Sequence, residues 1–157
     1  MGKKIKLFDP SVGSEEQQVT QQVLKSHFWA SGAGIGYVKK FEDSFKKYID
    51  SNDCVAVNSG TAALNLALSL MDLKGKEVIV SSLTFVATVN AILLNGGKPV
   101  FVDVEPHTMC VNPNQIEKLI TKKTKAILPV HYAGMPCRLD KIEQICKKNE
   151  LILMEPL

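Results

Sequence analysis

The chain has 157 residues, of which 45% are hydrophobic and 22% charged, and its net charge is +3. This length suits one globular domain, and its lysines and acids interleave as on a solvated surface, which gives no sign of a nucleic-acid-binding face. The uncharged run at residues 55–71 falls short of the ~20 residues that a membrane span needs, and no membrane role is expected.

The amino-terminal residues and the cysteines bear on location. The first ten residues, MGKKIKLFDP, are basic but lack an apolar core of signal-peptide length, so we expect a cytoplasmic protein. No CxxC pair and no metal-binding pattern is present. Three of the four cysteines lie in or beside apolar runs, which predicts buried, reduced thiols; a disulfide or metal role is the alternative. The cysteines are Cys54, Cys110, Cys137 and Cys146.

Two helices are predicted in the first third of the chain. Ser14 with Gln17 matches a capping box, which predicts a helix over residues 14–25 with Val19, Val23 and Leu24 on its inner face. A glycine-rich loop follows and ends at Gly36, and apolar residues at helical spacing then predict an amphipathic helix over residues 38–49.

The rest of the chain alternates apolar runs of strand length with runs of helix length. Apolar strands that are each followed by a helix predict an α/β fold, a mainly parallel sheet with helices on both faces. The predicted strands are 54–57, 77–80, 99–104, 126–130 and 151–154. The predicted helices are 62–71, 85–94, 113–120, with Asn112 as its cap, and 139–148.

The turn at residues 58–61, Asn-Ser-Gly-Thr, connects the first predicted strand to its helix. Both flanking runs lack charge and are expected to be buried. Gly60 lets the backbone approach a ligand closely, and the first amides of a helix have no partner within it, so the turn is a candidate phosphate site. The competing interpretation is that Ser59 or Thr61 only caps the helix.

Ligands of such sheets bind beyond the carboxyl ends of the strands. Segments 83–88 and 129–134 follow predicted strands there. Phe85 offers an aromatic face for stacking a planar ring, with packing in the core as the alternative. His131 is a second candidate, with a structural, hydrogen-bonded histidine as the alternative.

Five blocks together resemble the nucleotide-sugar aminotransferases of the DegT/StrS type, and the resemblance runs from about Phe28 to the end of the chain. The blocks are GYVKKFED at 36–43, VAVNSGTAALNLAL at 55–68, LTFVATVNAILLNGGKPVFVDVEPHT at 83–108, KKTKAILPVHYAG at 122–134 and ELILMEPL at 150–157.

The resemblance implies a fold type I enzyme, usually a homodimer, that depends on pyridoxal phosphate. Such enzymes transfer an amino group, commonly from glutamate, to a keto sugar carried by a nucleotide diphosphate, in polysaccharide or amino-sugar biosynthesis. Gly60, Thr61 and Ala62 would then bind the cofactor phosphate, Phe85 would stack on the ring, and His131 would lie near it. Trp29 and Ser31 are weaker candidates at the substrate entrance.

The sequence departs from the family pattern at its end. The family's aspartate for the ring nitrogen is absent, because Pro156 follows Glu155, and the Schiff-base lysine lies further along in the family. We therefore expect a fragment: residues 1–36 form a helix and a glycine-rich loop, and residues 37–157 form part of the cofactor-binding large domain. This chain alone is expected to be inactive. A sugar dehydratase on the same cofactor site and a non-catalytic binding module are the alternatives.

Overall fold

The computed structural model describes residue 6 and residues 8–29 and 36–155. The chain divides into two compact units, Met1–Ala56 and Val57–Leu157. The predicted boundary at residue 36 marks where the cofactor-binding part begins, and a division into compact units does not test it. It therefore stays a prediction. None of the helices in the described ranges is both long enough and apolar enough to cross a membrane.

The first unit contains two helices, α1 (Ser14–Lys25) and α2 (Gly36–Tyr48). The predicted bounds of α1 are confirmed, but its predicted cap is wrong. The carboxylate of Glu16, not the side chain of Gln17, reaches back and accepts a 2.6 Å hydrogen bond from the amide of Gly13. This bond lowers the pKa of Glu16, because it stabilises the ionised carboxylate at the helix start.

Neither of these helices buries a residue within the described part of the chain. The inner face predicted for α1 is wrong in this respect, since Val19 and Leu24 are both exposed. On α2, Phe41 and Phe45 stack with ring centroids 5.7 Å apart, as expected for aromatic residues four positions apart on one helix face.

The second unit is a four-stranded parallel sheet with strand order β2-β1-β3-β4. The α/β class with helices on both faces is confirmed. The strands are β1 (Glu77–Ser81), β2 (Lys98–Val102), β3 (Thr124–Leu128) and β4 (Ile152–Leu153). The helices are α3 (Gly60–Ser69), α4 (Val86–Leu94), α5 (Pro113–Leu119) and α6 (Leu139–Asn149).

The strand predicted over residues 54–57 is wrong. These residues pair with no other strand among the described residues, and Val55 is 68% exposed. The amide of Ala56 donates instead to the carboxylate of Glu42 at 2.9 Å. A strand needs a partner elsewhere in the chain to satisfy its backbone groups, and the apolar pattern of one segment does not reveal whether that partner exists.

The sheet has an apolar core on each face. In β1, Val78 and Val80 pack toward α3 and α4, while Ile79 packs toward α5 and α6. Both faces are covered, so β1 shows no polar alternation. Full burial of one such aliphatic side chain contributes about 1.5–3 kcal/mol.

The caps of the helices are partly as predicted. Asn112 accepts a 3.0 Å hydrogen bond from the amide of Asn114 and caps α5, with Pro113 in the first turn, which confirms that prediction. The expected burial of α3 is wrong. Leu68 is the one buried residue of this helix, and Leu70, which follows the last residue of the helix, is 83% exposed.

Three of the four cysteines are buried, and all four are free thiols. Burial raises the pKa of Cys137 to about 12, and the neighbouring Cys110 adds to this shift. Burial also raises the pKa of Cys146 to about 11. All three buried thiols belong to the apolar core between the sheet and α5 and α6.

Candidate functional site

An open cleft of about 710 Å³ lies at one edge of the sheet in the second unit. We call it the α3 cleft, and its chemically relevant lining residues are Gly60, Thr61, Phe85, Thr88, His131 and Glu155. They come from the start of α3 and from the segments that follow β1, β3 and β4. The rule that ligands bind beyond the carboxyl ends of parallel strands thus leads to this cleft, whose size is typical of cofactor sites.

The start of α3 is capped by Ser59, whose hydroxyl accepts a 3.2 Å hydrogen bond from the amide of Ala62. The capping interpretation is therefore correct for Ser59. Ala62 itself does not line the cleft, and its amide already has a partner. A role of Ala62 toward a phosphate stays a prediction; of the three expected amides, those of Gly60 and Thr61 have no described partner.

Gly60 faces open space. A side-chain carbon placed on this residue would meet no atom within 4 Å. Thr61, whose side chain carries a hydroxyl, lines the same cleft. Two amides, one hydroxyl and the positive end of a helix form a donor set that suits a phosphate.

Phe85 lies between β1 and α4, directly before the first residue of α4. Its side chain is 74% exposed and lines the cleft, so the alternative of core packing is wrong. An exposed aromatic ring at the mouth of a cleft has a free face against which a planar ligand can stack.

Three hydroxyls hold the segment around Phe85. The Thr84 hydroxyl donates to that of Thr88 at 3.0 Å, and Thr88 is only 4% exposed. The buried hydroxyl of Ser81 bonds both the amide and the carbonyl of Leu83. These bonds restrain the chain before and after the exposed ring.

His131 follows β3 and is mostly buried. Its Nδ1 accepts a 3.0 Å hydrogen bond from the amide of Cys137, and its Nε2 lies 3.5 Å from Oε2 of Glu155. His131 is therefore a hydrogen-bonded histidine, as the structural alternative held, and it also lines the cleft. Its role toward a ligand stays a prediction.

The described geometry does not test the two weaker candidates. Trp29 belongs to the first unit, is 64% exposed, and donates from its indole nitrogen to the carbonyl of Val23 at 3.1 Å. Ser31 lies outside the described residues. Their proximity to a substrate therefore stays a prediction.

Sequence reasoning noted Glu155 only as the residue before a departure from the family pattern. In the structure its carboxylate lines the α3 cleft beside His131. β4 pairs with β3 in parallel, so the residues after both strands meet at one edge. The strand-end rule that selected segments 83–88 and 129–134, applied to the last predicted strand, would have found Glu155 as well.

The model of the DegT/DnrJ/EryC1/StrS aminotransferase family matches residues 10–156. The chain belongs to this family. The resemblance identified from five sequence blocks is thus confirmed over nearly the whole chain.

Characterised and uncharacterised relatives agree with the family assignment. The chain is 42% identical over 149 residues to an uncharacterised protein of Methanocaldococcus jannaschii, with 94% of this chain and 38% of that protein covered. It is 38% identical to the spore coat polysaccharide biosynthesis protein SpsC of Bacillus subtilis, with 93% and 37% covered. It is also 38% identical to GDP-perosamine synthase of Escherichia coli O157:H7, with 98% and 42% covered. The chain thus spans about two fifths of the length of these relatives.

Solved structures of the family share the fold. An aminotransferase from Psychrobacter cryohalolentis superposes with a TM-score of 0.84 at 35% identity, over 93% of this chain and 37% of that one. NtdA from Bacillus subtilis, solved with its cofactor PMP, has a TM-score of 0.81 at 34% identity, over 89% and 32%. The Escherichia coli GDP-4-keto-6-deoxy-D-mannose-3-dehydratase, solved with hydrated PLP, has a TM-score of 0.87 at 29% identity, over 95% and 39%.

Proposed function

We propose that the whole protein is a pyridoxal-phosphate-dependent aminotransferase that acts on a keto sugar linked to a nucleotide diphosphate. The observation that carries this proposal is the α3 cleft. In a chain of the aminotransferase family, it combines a helix start with free amides, an exposed aromatic ring and a histidine beside a carboxylate.

The helix start fits the phosphate of the cofactor. The amides of Gly60 and Thr61 and the Thr61 hydroxyl are donors, and the space in front of Gly60 is free of protein atoms. A phosphate dianion at this position is stabilised by the positive end of α3. The Ser59 hydroxyl keeps the first turn of the helix in place by its bond to the amide of Ala62.

Phe85 fits the ring of the cofactor. Its free face would stack on the pyridine ring and, together with the apolar wall formed by Leu64, Ala67 and Met154, would exclude water from one side. When bound, pyridoxal phosphate acts as an electron sink that stabilises negative charge on the carbon next to the transferred amino group. The chain's task is to hold the phosphate and ring so that this carbon is presented in one orientation.

Substrate, donor and assembly are inferred from the family. Glutamate is the proposed amino donor, and a homodimer in the cytoplasm, serving polysaccharide or amino-sugar biosynthesis, is the proposed setting. One relative is a GDP-perosamine synthase and another a spore coat polysaccharide biosynthesis protein, which supports a sugar as acceptor. We propose that Trp29 and Ser31 contribute to the substrate entrance of the assembled enzyme.

The proposal is tested by amino transfer from ¹⁵N-glutamate to a panel of keto sugars carried by GDP, UDP and dTDP. We expect the complete protein, supplied with pyridoxal phosphate, to place ¹⁵N on the sugar and to release 2-oxoglutarate. Mass spectrometry of the sugar nucleotide and an enzymatic assay of 2-oxoglutarate measure the two products. Absence of label from every sugar of the panel, in protein that binds the cofactor, would overturn the aminotransferase assignment.

A sugar dehydratase is the second candidate, supported by the structural similarity to a GDP-4-keto-6-deoxy-D-mannose-3-dehydratase. The same assay separates the two reactions, because a dehydratase yields a deoxy sugar without ¹⁵N. The residue at the position of the Schiff-base lysine also distinguishes them: lysine is expected for an aminotransferase, and histidine, which forms no Schiff base, for such a dehydratase. Cofactor binding with neither product would support the third candidate, a non-catalytic binding module.

A further inference from the structure

The two ends of the α3 cleft differ in charge. Among the described residues that line it, Glu155 is the one acidic side chain, and none is lysine or arginine. The start of α3, with the free amides of Gly60 and Thr61, supplies the positive potential of a helix dipole. A ligand that carries an anion at one end and a cation at the other is complementary to this cleft.

The hydrogen bond at Nδ1 of His131 determines which ring nitrogen carries the hydrogen that faces Glu155. Its Nδ1 accepts the Cys137 amide hydrogen at 3.0 Å, so this nitrogen carries no hydrogen. The ring hydrogen of the neutral imidazole is therefore on Nε2, which faces Oε2 of Glu155 at 3.5 Å. His131 thus presents the hydrogen-bearing nitrogen of its ring toward the carboxylate at the edge of the cleft.

We propose that Glu155 accepts the ring-nitrogen hydrogen of the cofactor and that His131 positions it for this task, an inference that rests on the proposed function. The family that the sequence resembles uses an aspartate to contact the ring nitrogen, and this chain has Pro156 at the corresponding position. A carboxylate at the ring nitrogen keeps that nitrogen protonated, which is the state that withdraws electrons most strongly. Glu155 is the described side chain in the cleft lining able to supply this charge.

The end of β4 is compatible with this assignment. Side chains of a regular strand alternate between the faces of a sheet, and Met154, which lines the cleft, would direct its neighbour to the opposite face. However, β4 ends at Leu153, two residues earlier. Glu155 is therefore outside the regular strand, where strand alternation does not apply, and its carboxylate lies beside His131.

The test uses the 157-residue chain and pyridoxamine 5′-phosphate, which contains the phosphate and the ring and needs no lysine to attach it. Calorimetry measures its affinity for the unchanged chain and for Glu155→Gln, Glu155→Asp and the control Glu143→Gln. Glu143 is an acid on α6 that pairs with Lys147 at 3.1 Å and does not line the cleft. Circular dichroism establishes that each variant is folded.

We expect Glu155→Gln to weaken binding at least about tenfold, since a hydrogen bond to a charged group is lost. Glu155→Asp should retain part of the affinity, and Glu143→Gln should retain all of it. With ¹⁵N in the ligand ring, the pH at which the ring nitrogen loses its proton should fall by about one unit in Glu155→Gln. In the ligand-free chain, ¹⁵N spectra of His131 should show hydrogen on Nε2 only.

The outcomes separate the two proposals. If the unchanged chain binds pyridoxamine 5′-phosphate and Glu155→Gln alters neither the affinity nor the ring-nitrogen titration, the assignment of Glu155 is overturned while the cofactor site stands. If the unchanged, folded chain does not bind the compound even at millimolar concentration, the cofactor site fails and the inference fails with it. A His131 ring with hydrogen on Nδ1 would overturn the positioning role alone.

Discussion

The carboxylate of Glu77 accepts a 2.6 Å hydrogen bond from the hydroxyl of Thr121, at the edge of the sheet opposite the α3 cleft. Its other oxygen lies 3.2 Å from Nζ of Lys98. Glu77 begins β1, the side chain is largely buried, and Lys98 begins the neighbouring strand β2. The hydrogen bond from Thr121, followed by that from Lys98, lowers the pKa of Glu77. One carboxylate thus links the starts of two strands to the segment that follows α5.

This lowered pKa predicts a pH-dependent effect of Glu77→Gln. A carboxyl group with a lower pKa in the folded state stabilises that state fully above its unfolded pKa, about 4.3, and loses this contribution as pH falls through the lowered value. We expect the variant to be less stable than the unchanged chain at pH 7, and the difference to shrink toward pH 3. Urea unfolding at both pH values measures it. Glu117→Gln, at an exposed pair with Lys148, is the control and should show little effect.

Two glycines should respond to alanine in opposite ways. Gly60→Ala places a methyl group in the free space in front of α3, so stability should change by less than about 0.5 kcal/mol while the affinity for pyridoxamine 5′-phosphate falls at least about tenfold. Gly75 has a φ of +71° and precedes β1, at the opposite edge of the sheet. Gly75→Ala should cost about 1–2 kcal/mol of stability and leave the affinity unchanged. Urea unfolding and calorimetry measure the two quantities; the reverse pattern would contradict the phosphate assignment.

Phe85→Ala should separate binding from stability. The ring is mostly exposed, so its removal should change the free energy of unfolding by less than about 0.5 kcal/mol. Loss of stacking should weaken pyridoxamine 5′-phosphate about three- to tenfold, whereas Phe85→Tyr should preserve it. Leu70→Ala, at another exposed apolar residue, is the control for both measurements. Equal affinities of Phe85→Ala and the unchanged chain would exclude a stacking role.

Ala133 has a left-handed backbone, with φ 51° and ψ 30°, in the short turn after His131. A side chain in this region costs about 1–2 kcal/mol, and glycine avoids that cost while adding some freedom to the unfolded chain. Ala133→Gly should therefore stabilise the protein by about 0.5–1 kcal/mol in urea unfolding. Ala91→Gly, the same change inside the right-handed helix α4, should instead destabilise it by about 1 kcal/mol or more. A lower free energy of unfolding in Ala133→Gly would contradict the assignment of backbone strain to Ala133.

The fold of the second unit was largely predictable because its signals are local. Apolar runs of strand and helix length placed β1, β3, α4 and α6 within two residues of their observed bounds, and Asn112 with Pro113 marked the start of α5. The prediction of a strand over residues 54–57 failed because a strand also requires a partner strand, and the sequence of the segment does not show whether one is present.

The candidate site was predictable where a rule connects sequence to space. Parallel strands bring their carboxyl ends together, which was enough to group Phe85 and His131. Gly60 lies in the same cleft although the strand predicted before it is absent from the described sheet. The contact between His131 and Glu155 depends on the order of strands in the sheet, and adjacency of β3 and β4 cannot be read from spacing. The hydrogen bond from the Ala62 amide to the Ser59 hydroxyl also depends on side-chain rotation, which a motif does not specify.

The buried thiols have a practical consequence for following the motions of this chain. Alkylating reagents attack thiolates, and with pKa values of about 12 and about 11 almost none of Cys137 or Cys146 is in that form near neutral pH. Both side chains are also shielded from solvent, whereas Cys54 is partly open to it. Labelling of the two shielded sulfurs by iodoacetamide would therefore proceed only in molecules in which α6 has moved away from the sheet. The labelling rate then measures how often this opening occurs.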